Sequence, residues 1–117
     1  MTIPPLDLPA ATFRSTGGTD HPMLEITGEV DMATSGELRV EIYRLIDSCV
    51  RDNRRPTIAI SLLELEFIDS SGLRALLDGL KRARSLGGSL ELQDLSLATQ
   101  RLFEITGLLP LFDVAPA

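Results

Sequence analysis

Phe67-Ile68-Asp69-Ser70-Ser71-Gly72-Leu73 joins two unlike patterns. Before it runs Pro56-Thr57-Ile58-Ala59-Ile60-Ser61, short and largely apolar, as expected of a central strand covered on both faces. After it, Leu73, Leu76, Leu77 and Leu80 recur at helical spacing. A strand that passes through two hydroxyls straight into an amphipathic helix is a building unit of an α/β fold. The hydroxyls themselves admit two readings. One can cap the helix by accepting a hydrogen bond from its first free N–H groups. One can instead accept a phosphate, because a helix N-terminus tolerates added negative charge.

Working outward, Ala11 to Ser15 reads as a first strand and Thr16-Gly17-Gly18-Thr19-Asp20 as a turn. Met23 to Gly28 alternates apolar and polar residues, the pattern of a strand with one buried face. Thr34 or Ser35 is placed to cap a helix reaching about Asp52, whose apolar positions Leu38, Ile42, Leu45, Ile46 and Cys49 share one side. Leu62 to Ile68 reads as a leucine-rich loop. The second helix spans Ser71 to Leu86, stopped by Gly87-Gly88. Ser89 to Leu92 follows as a strand, Ser96 caps a helix from Leu97 to about Ile105, and Leu111 to Val114 closes as a last strand. The order ββαβαβαβ predicts a mixed central sheet of about five strands with helices packed on it.

The chain of 117 residues is long enough for one domain with its own core. Residues 1–10, rich in proline and without periodicity, read as a flexible lead-in, and 11–117 as the domain. A hydrophobic fraction of 44% and a charged fraction of 24% are those of a globular protein in water. No run reaches the length of a membrane span, and no basic segment leads into an apolar one at the N-terminus. A cytoplasmic protein without a membrane partner is expected. The net charge of −6 argues against nucleic acid, which demands a basic footprint. Arg51, Arg54 and Arg55 cluster, but at a helix C-terminus, where cations are favoured anyway.

The single cysteine, Cys49, continues an apolar stripe and reads as a buried small hydrophobe; with only one, no internal disulfide and no cysteine metal cage is possible. His21, the only histidine, sits in a turn. With no histidine–nucleophile pair, no metal-ligand cluster and no P-loop glycine pattern, neither an enzyme nor a cofactor is expected.

Three segments in order carry a resemblance: Gly28-Glu29-Val30-Asp31, then Phe67 to Leu73, then Leu102-Phe103-Glu104-Ile105-Thr106-Gly107-Leu108. Together, within the alternating pattern, they are similar to the signature segments of the STAS family, and within it to bacterial anti-sigma factor antagonists. The likeness covers roughly Ala11 to Val114. It implies a single STAS domain that binds an anti-sigma factor, often a serine kinase, so that a sigma factor is released and transcription proceeds. Phosphorylation of the antagonist breaks that complex and a phosphatase restores it. By motif position the phosphoacceptor is Ser71, with Ser70 the second candidate. Asp31 and Asp69 match acidic residues beside the acceptor. Ser61 stands where the family usually has Asp or Asn, Arg74 where the best-known antagonists carry Gly, and Leu63 at a position usually polar. The other reading of the resemblance is a constitutive STAS interaction module in a stress-signalling assembly or a transporter complex.

The expected partner surface comprises Asp31, Leu63, Asp69, Ser70, Gly72 and Arg74 on a monomer. Several have a plainer reading. Asp31 is equally a turn or capping acid, and Asp69 a helix N-terminal charge. Arg74 pairs at helical spacing with Asp78. Gly72 leaves the backbone open to a kinase. Leu62, Leu63 and Leu65 cannot all point inward, and Phe67 and Ile68 are expected in the core. One serine is expected to cap under either function. A phosphate on Ser71 adds about −1.5 to −2 charges. The helix dipole offsets this by roughly 0.3–1 kcal/mol, helped by outward-pointing N–H groups. Asp31 and Asp69 are also placed to help hold a magnesium ion during phosphoryl transfer.

Overall fold

The computed structural model describes Ala11 to Pro116; the expected lead-in of residues 1–10 lies outside the described residues. Five strands form one sheet in the order β1-β2-β3-β4-β5. They are β1 (Ala11–Thr16), β2 (Met23–Val30), β3 (Thr57–Ile68), β4 (Ser89–Gln93) and β5 (Asp113–Val114). The β1–β2 pair is antiparallel and every later neighbour is parallel. Parallel neighbours need crossovers, which α1 (Ser35–Arg51), α2 (Ser70–Ser85) and α3 (Leu97–Ile105) supply. The mixed sheet and helix order are those the sequence predicts, with ends other than that of β3 shifted by at most two residues.

One face of the sheet carries the core. Leu24, Ile26, Ile58, Ile60, Leu90 and Leu92 point into it and are fully buried. The predicted stripe of α1 meets them through Leu38, Ile42, Ile46 and Cys49. Leu73, Leu76 and Leu80 do the same from α2. The two helices approach closely at Gly79, where an added Cβ would stand 2.7 Å from the Ile42 Cγ2. Phe103 of α3 is buried edge-on to Phe112, ring centroids 5.6 Å apart.

Three expectations are corrected here. Leu62 to Ile68 is no loop but the second half of β3, a twelve-residue strand. Its pairing with β2 slips twice, between Glu25 and Thr27 and between Gly28 and Glu29, where β3 spends one extra residue each time. Each bulge shifts the side-chain phase. The buried set therefore runs Leu62, Leu65, Ile68 instead of alternating, which imitates a loop in a pattern of period two. Leu62 and Leu65 point in and Leu63 points out, so the three leucines divide as expected. Second, β3 is covered on one face only: Thr57 is exposed, and Ala59 and Ser61 are half-buried on the far side. Third, the last strand shrinks to Asp113–Val114, because Leu109–Leu111 forms a 3-10 turn that spends the N–H groups of Leu111 and Phe112 on the carbonyls of Leu108 and Leu109.

Candidate functional site

The C-terminal ends of β2 and β3 lie side by side, with Val30 in register with Ile68. The backbone N–H of Asp69 then bonds the Val30 carbonyl at 3.1 Å. This places the turn that starts α1, with Asp31, against the turn that starts α2, with Asp69, Ser70 and Ser71. Two sequence-distant acidic residues thus meet at one edge of the sheet, as expected.

Asp69, not a serine, caps α2. Its extended backbone precedes the first turn, and its Oδ1 accepts from Ser71 N at 2.8 Å and Gly72 N at 3.1 Å. The expectation that one serine caps is therefore corrected. A carboxylate offers a stronger acceptor to two N–H donors at once, and it stands one residue ahead of the hydroxyls. The cap has two consequences. Two helix N–H groups that were expected to receive a phosphate are already occupied. Both serine hydroxyls are free of any hydrogen bond within the described residues. Ser70 is exposed and Ser71 half-buried, so neither oxygen is walled in.

Gly72 answers a different need from the one expected. It is buried, and an added Cβ would stand 2.5 Å from Ile68 Cγ1 and 2.8 Å from Val30 Cγ1. The glycine lets the start of α2 rest directly on the ends of β2 and β3; it opens no backbone to solvent.

Asp31 is half-buried and holds the neighbouring turn. Its Oδ1 accepts from Ala33 N at 2.9 Å, and its own N–H donates to Thr34 Oγ1 at 3.0 Å. Thr34 occupies the N-cap of α1 without using its side chain on the helix; its carboxylate neighbour and backbone claim the hydroxyl instead.

Arg74 lies one turn along α2 with its side chain 70% exposed, its Nε 3.4 Å from Asp78 Oδ1. That is the intrahelical pair the spacing predicts. A second partner was invisible in the sequence: Arg39 of α1 directs both Nε and Nη2 at Asp78 Oδ2, each 3.1 Å away. Leu63 is not brought to this edge. It is 68% exposed on the open face of the sheet, on the order of 15–20 Å along the strand from Asp69, beside Ser61 and Thr27. Two apolar residues replace it at the edge. Met32, next to Asp31, is 81% exposed, and Phe67, in register with Glu29, is 51% exposed. Phe67 was expected in the core; the second bulge turns it outward. No periodicity flagged either residue.

Among the described residues no three His, Cys, Asp or Glu side chains gather as a metal cage, so Asp31 and Asp69 do not make one by themselves. Cys49 is buried and its thiol is pushed above its usual range by burial, with Asp52 adding and Arg54 opposing, which keeps it protonated and inert. No helix among the described residues is long and apolar enough to cross a membrane.

The chain is similar to known proteins in sequence and in fold. The family model described as Mlab, STAS domain matches residues 13–111. An anti-sigma-B factor antagonist of Bacillus subtilis is 32% identical over 92 residues, 79% of each chain. An anti-sigma F factor antagonist of Paenibacillus polymyxa is 30% identical over 94 residues, 78% of this chain and 77% of its own. Among solved structures, an anti-sigma factor antagonist from Mycobacterium paratuberculosis superposes with a TM-score of 0.76 at 24% identity, covering 100% of this chain and 92% of that one. The antagonist SpoIIAA in its unphosphorylated form gives 0.71 at 21% identity, covering 90% and 89%. At these identities the structures speak for the fold.

Proposed function

The chain belongs to the STAS-domain family, and from that membership we propose that it is an anti-sigma factor antagonist switched by phosphorylation of Ser71. In this reading the unmodified chain, a monomer in the cytoplasm, docks an anti-sigma factor that is itself a serine kinase, and a sigma factor is freed. Phosphate on Ser71 ends the complex and a phosphatase resets it. Docking uses the edge formed by Asp31, Asp69, Ser70 and Arg74, with Met32 and Phe67 as apolar anchors.

The observation that carries the reading is the capping of α2 by Asp69. Because the carboxylate does the structural work, the Ser71 hydroxyl is dispensable to the fold and half-open to a partner. A modified hydroxyl that the fold does not use changes binding without unfolding the domain. Across an interface shaped for a neutral hydroxyl, the added charge has to be desolvated beside two carboxylates, which costs about 2–3 kcal/mol or more.

Incubation with the cognate kinase and ATP, followed by intact mass, is the test. One added phosphate on the wild type and none on Ser71→Ala is expected. Equal labelling of Ser71→Ala moves the acceptor elsewhere. No labelling at all, with a Ser71→Asp variant that still binds as tightly as wild type, favours the constitutive module instead.

A further inference from the structure

The geometry points to Arg74 as the residue that reads the phosphate: we propose that it leaves Asp78 and closes over phosphorylated Ser71, so that modification adds an anion to the docking edge and withdraws a cation from it. This rests on the proposed phosphorylation of Ser71 and names how it is sensed.

Three observations carry it. First, a phosphate on Ser71 arrives where the helix N–H groups of Ser71 and Gly72 are already taken by the Asp69 carboxylate. The new dianion therefore faces a like charge and finds the N–H groups of Ser71 and Gly72 already engaged, which favours a side-chain cation as its partner. Second, Arg74 lies three residues beyond Ser71 and four beyond Ser70, on the same side of α2. Helix side chains lean toward the N-terminus, so a long arginine at this position naturally sweeps the first turn. Third, its present anchor is weak and expendable. The contact to Asp78 is a single 3.4 Å approach by a side chain that is 70% exposed. It also runs in the poorer order, cation before anion along the helix, whereas phosphoserine before Arg74 is the better order. Asp78 loses nothing essential, because Arg39 keeps its two 3.1 Å contacts from α1. The intrahelical contact is thus a parking place that Arg74 leaves at little cost, because the interhelical Arg39 pair keeps Asp78 partnered.

Other charges bear on the same spot: Asp69 and Asp31 repel the phosphate, and Arg39, tied to Asp78, is the next cation. Arg74 is a positioning residue here, for it orients the phosphate and is not itself modified.

The test uses the full chain with phosphoserine installed at residue 71 during synthesis, so neither kinase nor partner is needed. Phosphorus NMR follows the titration of the phosphate in the wild type, Arg74→Gln and Arg74→Lys. The midpoint is expected roughly one pH unit lower in the wild type than in Arg74→Gln, with Arg74→Lys between them. The Arg74 Nε–H resonance is expected to shift and to exchange more slowly on phosphorylation. Coincident midpoints in wild type and Arg74→Gln, or an Nε–H signal indifferent to the phosphate, overturn the proposal. Neither result bears on whether phosphorylation blocks docking, which a separate binding assay on the same phosphorylated chain reads directly.

Discussion

The two helices at the proposed docking edge begin alike in sequence and oppositely in space. Ser35-Gly36 opens α1 and Ser71-Gly72 opens α2, each soon after an aspartate at the end of a parallel strand. At α1 the serine is buried, 8% exposed, and the glycine faces open space, with nothing within 4 Å of an added Cβ. At α2 the glycine is buried against Val30 and Ile68 while the serine is half-open. The hydroxyls divide in the same way. Thr34 is absorbed by Asp31 and the backbone of Glu29, whereas Ser70 and Ser71 are left free because Asp69 caps alone. A Ser-Gly pair therefore says little by itself. What distinguishes a modifiable serine from a structural one is whether another group already satisfies the helix terminus.

The sharpest way to break this contrast is to add one methyl at each glycine. Gly72→Ala pushes a carbon into Ile68 and Val30 and is expected to cost about 1–3 kcal/mol. At roughly 4 °C per kcal/mol for a domain of this size, thermal melting by circular dichroism detects it. An unchanged melting temperature shows that α2 does not rest on the strand ends as described. The cap comes next: Asp69→Ala removes the acceptor of two N–H groups and is expected to cost about 1 kcal/mol. If Asp69→Ala is silent while Ser70→Ala or Ser71→Ala destabilises, a serine is the true cap. At the other helix the sign reverses. Gly36→Ala meets no neighbour and is expected to stabilise by about 0.4–1 kcal/mol, seen as a raised urea midpoint; a fall contradicts the open placement of that residue. The smallest effect is expected of Ser71→Ala, within about 0.5 kcal/mol of wild type, since its hydroxyl holds nothing.

Much of this was legible in the residues alone. The helical stripes Leu38, Ile42, Ile46 and Leu73, Leu76, Leu80 fix both helices, and the alternation in Met23 to Gly28 fixes a one-sided strand, because burial imposes those periods directly. The second half of β3 was not legible, since two bulges break the period-two signal over Leu62 to Ile68 and turn Phe67 outward. Asp31, Asp69 and the serines were found as a group through their motif, and the structure does bring them to one edge. Leu63 fell away because its distance from that edge depends on β3 being extended. The Arg39–Asp78 contact joins residues 39 positions apart, and no local pattern encodes it. The identity of the cap is a contest between adjacent acceptors, and only the backbone direction at Asp69 decides it.

The Ser71 hydroxyl is proposed to serve a partner and not the fold. Calorimetric titration of the anti-sigma factor with the unmodified chain and with the chain carrying phosphoserine at residue 71, alongside melting of both, tests this most directly. Binding weakened by about a hundredfold or more, with melting temperatures within a few degrees, is the predicted result. Equal affinities, or a phosphorylated chain that no longer folds, would contradict it.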